Sequence, residues 1–185
     1  GEALGVLRAS DQVLGVATQK DDNIWYSFDK TTLDAAAGTL SITTTHFSLY
    51  SLYSKFRITP ESAEIPVNGT QDIRVTTVAK AADDADPNDD LSPLGPLVTY
   101  SNGNEVSWTI NGNAPVISDD GTVLPSKSSS STTYKAPSTT ELMSTNPAVV
   151  TAEVNTPGAS KLYLISSITV LGGGNVYDVT VDYVG

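Results

Sequence analysis

Cysteine is absent from the 185 residues, and histidine occurs once. The first absence removes disulfides, thiolate zinc sites and cysteine catalysis; the second removes any metal site built on several imidazoles. Charge is scarce too. Only 17% of the residues are Asp, Glu, Lys or Arg, against roughly 25% in an ordinary globular chain, so neutral Ser, Thr, Asn and Gly must supply much of the polar surface. Ten Lys and Arg stand against 21 Asp and Glu, for a net charge of -11. That balance provides no basic footprint for nucleic acid or an anionic membrane. No stretch approaches the roughly 18 consecutive apolar residues of a membrane-crossing helix, and no secretory leader pattern opens the sequence. The segment is expected to be soluble.

What is present is period-2 alternation broken by Gly, Pro, Asn and Asp, the pattern of short antiparallel strands joined by turns. Thr39 to Thr44 alternates. At the far end, Tyr177, Val179, Val181 and Tyr183 share one face of a candidate strand, with Asp178, Thr180 and Asp182 on the other. Lys30 to Ala37 is long enough only for a helical turn, which is unstable alone, and reads as a connection. Pro60, Pro66 and Asn68-Gly69 mark a new start after the apolar run Phe47 to Tyr53, which places a boundary near Ser54. Beyond it the strand candidates are Phe56 to Thr59, Ala63 to Val67, Gln71 to Val78, Glu105 to Asn111, Thr132 to Lys135, Ala148 to Val154 and Leu162 to Leu171. Seven strands in about 115 residues suit a β-sandwich with Greek-key connections. Two connections are long, Lys80 to Thr99 and Pro125 to Thr133. The expected fold is therefore all-β: residues 1-54 a smaller antiparallel β region, 55-171 the sandwich, and 172-185 a terminal strand that extends the sandwich as a hairpin or begins a next domain. Three or four strands in the first fifty residues bury little apolar area, which suggests a piece of a modular chain.

Within the second region, Ile58-Thr59-Pro60, Val67-Asn68-Gly69-Thr70-Gln71, Trp108-Thr109-Ile110-Asn111-Gly112, Asp120-Gly121-Thr122-Val123, Tyr134-Lys135-Ala136-Pro137 and Ala148-Val149-Val150-Thr151-Ala152 occur in an order that resembles a bacterial Ig-like (BIG) domain. The resemblance implies a sandwich packed around Trp108, flanked by apolar Val106 and Ile110. The acidic stretch after Lys80 is longer than is usual in that family. Asn23-Ile24-Trp25-Tyr26, Thr39 to Ile42 and Thr45-His46-Phe47-Ser48 are similar to the second half of a ZU5-like domain.

Three clusters have chemical potential. In some ZU5-like domains an HFS triplet cleaves itself between Phe and Ser. That resemblance makes His46 the general base and Ser48 the nucleophile on the carbonyl of Phe47, by an N-to-O acyl shift and ester hydrolysis. Residues i and i+2 lie about 7 Å apart along a strand, whereas a base must come within about 3 Å of its proton, so a bulge or strained peptide at Phe47 is required. The competing reading makes His46 a core residue continuing the face of Leu40, Ile42 and Thr44. In the second cluster, Asp84, Asp86, Asn88 and Asp90 alternate as D-x-D-x-N-x-D, a spacing of oxygen ligands that suits Ca²⁺ as the one cofactor in view. Against this, Asp89 stands where an EF-hand-type loop has Gly, and Gly95 where it has Glu. The simpler reading is a solvated acidic loop. The third cluster is aromatic: Trp25, Tyr26, Tyr50, Tyr53, Tyr100, Trp108, Tyr134, Tyr163, Tyr177 and Tyr183 form either a sugar-stacking platform or, as alternation suggests for most of them, core.

Otherwise catalysis lacks material, with no second His and no nucleophile elbow. The sequence points to a non-enzymatic secreted or cell-surface bacterial protein, lipoproteins included, that acts as a structural spacer or adhesion module. Its partners would be other domains of the same chain, surface proteins or glycans. A self-cleaving module and a calcium-dependent carbohydrate or protein binder are the alternatives.

Overall fold

Alternation becomes strand wherever one face can be buried, and β14 (Leu162–Leu171) and β13 (Ala148–Val154) carry the rule furthest. Ala148, Val150, Ala152 and Val154 point inward from β13, and Leu162, Ser166, Ile168 and Val170 point inward from β14. The computed structural model describes residues 14–34, 36–44, 49–80, 91–101, 106–113, 119–124, 130–155 and 161–172. They form fourteen strands, of which the others are β1 (Leu14–Gln19), β2 (Trp25–Phe28), β3 (Thr32–Asp34), β4 (Thr39–Ser41), β5 (Tyr50–Ser54), β6 (Phe56–Thr59), β7 (Ser62–Pro66), β8 (Thr70–Lys80), β9 (Leu91–Thr99), β10 (Val106–Ile110), β11 (Thr122–Leu124) and β12 (Ser131–Lys135).

Two sheets make the sandwich. One is ordered β10-β13-β14-β7; the other contains β11-β12-β8, with β6 also paired to β8. The chain starts in one sheet as β6 and crosses to the other as β7, beside the last strand. With β6 as the first strand, this is the strand order of an immunoglobulin-type sandwich. Its core holds Trp108, Tyr134, Ile73, Val75, Val150 and Ile168, each at most 1% exposed. Two asparagines finish the ladders on either side of β13. The N–H of Asn111 donates to the carbonyl of Val149, whose own N–H donates back to Asn111 Oδ1, both at 2.8 Å. Asn146 Nδ2 donates to the carbonyl of Val170, and Oδ1 accepts from the Val170 N–H, at 2.8 and 2.9 Å. In each case a side-chain amide stands in for a peptide where the strand has ended.

The sheet continues beyond the sandwich. The N–H of Val75 donates to Ser130 O, and its carbonyl accepts from the Tyr100 N–H. Strands β12 and β9 therefore share one edge of β8, end to end. The order then runs β9-β2-β1-β5, so the residues before Ser54 pair with the stretch after Lys80. The expected boundary at Ser54 falls between β5 and β6.

Two stretches read as connections are strands in the structure. Leu91–Thr99, read as connection, is strand β9, and Lys30 to Ala37 contains β3, which pairs with β4 around Gly38 at φ 65°. Pro93 and Pro96 hid β9. They are tolerated because residues 91–93 pair with β2 alone and residues 94–99 with β8 alone, past a register shift between Val78 and Lys80. At that shift only glycine fits, since a Cβ on Gly95 would lie 2.4 Å from the carbonyl oxygen of Ala79.

One core residue is out of place chemically. Ser166 is fully buried opposite Val150, and among the described residues its hydroxyl has no hydrogen-bond partner. Relieving an unsatisfied buried hydroxyl is worth about 1 kcal/mol, so Ser166→Ala is expected to raise the melting temperature by about 2–4 °C. Scanning calorimetry checks this; a lower melting temperature would show that the hydroxyl is bonded in solution.

Candidate functional site

Strands β2, β5, β6, β8 and β9 converge where the first region meets the sandwich, and they leave a cleft of about 230 Å³ between them. Phe28 and Phe56 give it apolar walls, while Ser27, Asp29, Tyr53 and Ser92 bring polar atoms to it. These groups are already engaged with one another. Ser27 Oγ and the Tyr53 hydroxyl share a hydrogen bond of 2.7 Å, and Ser92 Oγ donates to Asp29 Oδ2 at 3.0 Å. Alternation explains the convergence, because Ser27 and Ser92 are register partners across β2 and β9. The arrangement offers hydroxyls and a carboxylate to a small polar molecule. The Ser92–Asp29 contact sets one hydroxyl against a carboxylate, and among the described lining residues no His stands beside it. Sequence reasoning named Tyr53 only as an aromatic and passed over Ser27, Asp29 and Ser92, which are ordinary strand and turn residues until their strands are paired.

A second polar cluster is structural in character. Asp120 is 9% exposed at the turn before β11. Its carboxylate accepts from the Ser144 N–H at 2.6 Å and the Ser144 hydroxyl at 2.7 Å. Burial alone would raise its pKa. Hydrogen bonds from Ser144, from the Asn111 side chain and from the backbone of Ser144 and Thr145 outweigh burial and hold it below the ordinary value. Among the described residues the buried Asn111 Nδ2 makes no well-formed hydrogen bond, and this carboxylate is the acceptor it leans toward. The carbonyl of the same Asp120 accepts from the Tyr134 hydroxyl at 2.6 Å. Burial, then the Asp120 charge, pushes that phenol up to about 12. Next in sequence, Gly121 has φ 112°, and a Cβ there would meet the Tyr134 ring at 2.6 Å. The cluster ties three loops at one end of the core.

The sites expected from sequence fall elsewhere. His46, Phe47 and Ser48 lie outside the described residues, as do Asp84, Asp86, Asn88 and Asp90. Thr44 and Leu49 flank the first set; β8 and β9 flank the second, beside the cleft. Among the described residues no group of three His, Cys, Asp or Glu side chains is placed to hold a metal ion. The described aromatics do not form one platform. Trp108 and Tyr134 are core, Trp25, Tyr26, Tyr53 and Tyr100 are half-buried, and the exposed Tyr50 and Tyr163 stand on strands of different sheets. Tyr177 and Tyr183 are outside the described residues. No protein-family model matches the chain, and no curated protein matches it.

Proposed function

We propose that this chain is a non-enzymatic secreted or cell-surface bacterial protein whose immunoglobulin-type sandwich serves as a structural spacer or adhesion module. The direction of the chain through the sandwich carries this reading. Strand β6 starts at the end where Phe56 faces Thr77, and β7 continues toward Pro66. Strand β14 runs parallel to β7, with Ser167 to Leu171 opposite Ser62 to Pro66. The chain thus enters at one pole and leaves at the other, the geometry a bead needs in a string. Tension between the poles shears the β7–β14 ladder, loading its hydrogen bonds together rather than one after another. Further bonds from Val67 N to Leu171 O and from Ser167 N to Glu61 O flank that ladder, and the Asn146 amide braces Val170 from the other side. The resemblance of residues 55-171 to bacterial Ig-like repeats supports the same role.

Single-molecule pulling tests it. Drawn from its two ends, the full chain is expected to show a discrete force peak releasing about 40 nm for residues 56–171. That peak should stand above the one seen when β13 and β14 are pulled apart from adjacent ends. Equal or lower force in the end-to-end geometry would overturn the spacer reading.

A further inference from the structure

The sheet of the first region stops short of covering its own apolar side. Phe28 pairs with Leu91; it follows Ser27, the partner of Ala17, and so falls in line with Val16, which pairs with Leu52. A single apolar row therefore crosses β9, β2, β1 and β5. Exposure along it is 4% at Leu91, 6% at Phe28, 6% at Val16 and 65% at Leu52. The row ends in the open. Strand β5 is also the last in the sheet order, with β1 on one edge and, among the described residues, no strand on the other. Gln19 and Leu49 are hydrogen-bonded across β1 and β5. Antiparallel alternation then turns the N–H and C=O of Leu52 outward. An open edge with an exposed apolar side chain is a template for an added strand.

We infer that this edge receives residues 176 to 184 of a second copy of the chain, so that copies join head to tail by strand addition at β5. Tyr177, Val179, Val181 and Tyr183 supply the apolar face that would cover Leu52, and Asp178, Thr180 and Asp182 the polar one. Distance decides between a second copy and the same one. Leu171 lies at the Pro66 pole, and β8, with 11 residues, extends about 35 Å from there to Lys80. The apolar row lies farther still, because Lys80 pairs with Leu94 and the row begins at Leu91. Four strand spacings of about 4.8 Å add a sideways step. From Leu171 to Thr180 the chain covers at most about 32 Å. A strand leaving this pole cannot lie along its own β5, but it can lie along that of a neighbour placed at the pole. The inference takes from the spacer reading only that the two poles face neighbours.

The absence of native cysteine makes disulfide trapping clean. A full chain carrying Leu52→Cys with Val179→Cys, and a companion with Leu52→Cys and Val181→Cys, is expected on mild oxidation to give a ladder rising in steps of 19.4 kDa. Leu142→Cys with Val179→Cys, placed on another exposed residue, should stay single. A disulfide closed within one chain, or none with either partner, would overturn head-to-tail addition while leaving the pulling result untouched. A labelled peptide of residues 175–185 gives an independent reading: it is expected to bind the wild-type chain and to bind Leu52→Lys about tenfold more weakly. Equal binding to both, or no binding to either, would overturn the inference.

Discussion

Replacing Trp108 with alanine is expected to destabilise the chain by about 3–5 kcal/mol, the range for emptying a large aromatic site. The indole is 1% exposed in a core shared by both sheets. It stands on β10 opposite Ala152, with Val106 and Ile110 on the same inward face. Alanine on the neighbouring strand leaves room for the ring. Total stability of a domain is about 5–15 kcal/mol, so the loss removes a large share. In antibody-type sandwiches a disulfide between the sheets adds about 2–4 kcal/mol of its own. Here no cysteine exists to share the load. Urea unfolding measures the effect, with Trp25, the second tryptophan, as the remaining fluorophore. Trp108→Phe should recover part of the loss. A change under about 1 kcal/mol for Trp108→Ala would mean that the site collapses around the void.

The sandwich was legible where alternation is uninterrupted. Ala148–Val154, Leu162–Leu171 and Phe56–Thr59 have the residues expected of them, because one face of each is packed and the residue pattern records that packing directly. Strand β9 was illegible because two prolines and a glycine contradict a strand unless its pairing partners are known. Strand β11 has three residues, too few for periodicity to register. Asn111 and Asn146 belong to turn-like motifs, yet both replace strand backbone, a role set by where β13 ends. The apolar row to Leu52 spans four strands far apart in sequence and becomes visible only through the registers. The cleft follows the same logic: Ser27 and Ser92 meet because β2 pairs with β9, a strand that the sequence concealed.

In the sequence Asp120 stands out only within the Asp120-Gly121-Thr122-Val123 stretch of the Ig-like resemblance, and its removal is expected to be the second most damaging change. Asp120→Ala deletes the acceptor for the N–H and hydroxyl of Ser144. Hydrogen bonds to a charged group contribute about 1.5–3 kcal/mol each, and orphaned buried donors add their own penalty. A loss of about 3 kcal/mol at neutral pH follows. The carboxyl titrates below its ordinary value in the folded chain, so the unfolded chain takes up the proton first as pH falls. The stability it contributes is fully present above the ordinary value of 3.8 and disappears as pH drops through the lower folded value. Wild type and Asp120→Ala should therefore differ most at pH 7 and converge below pH 3.8. Asp120→Asn separates charge from shape: it keeps an acceptor oxygen but brings an amide against the Ser144 and Asn111 donors, and its deficit should likewise shrink in acid. Melting curves from pH 7 to pH 2 decide the matter. A gap that stays constant across that range would mean that the loops at residues 111, 120 and 144 are held by packing, with the carboxylate a bystander.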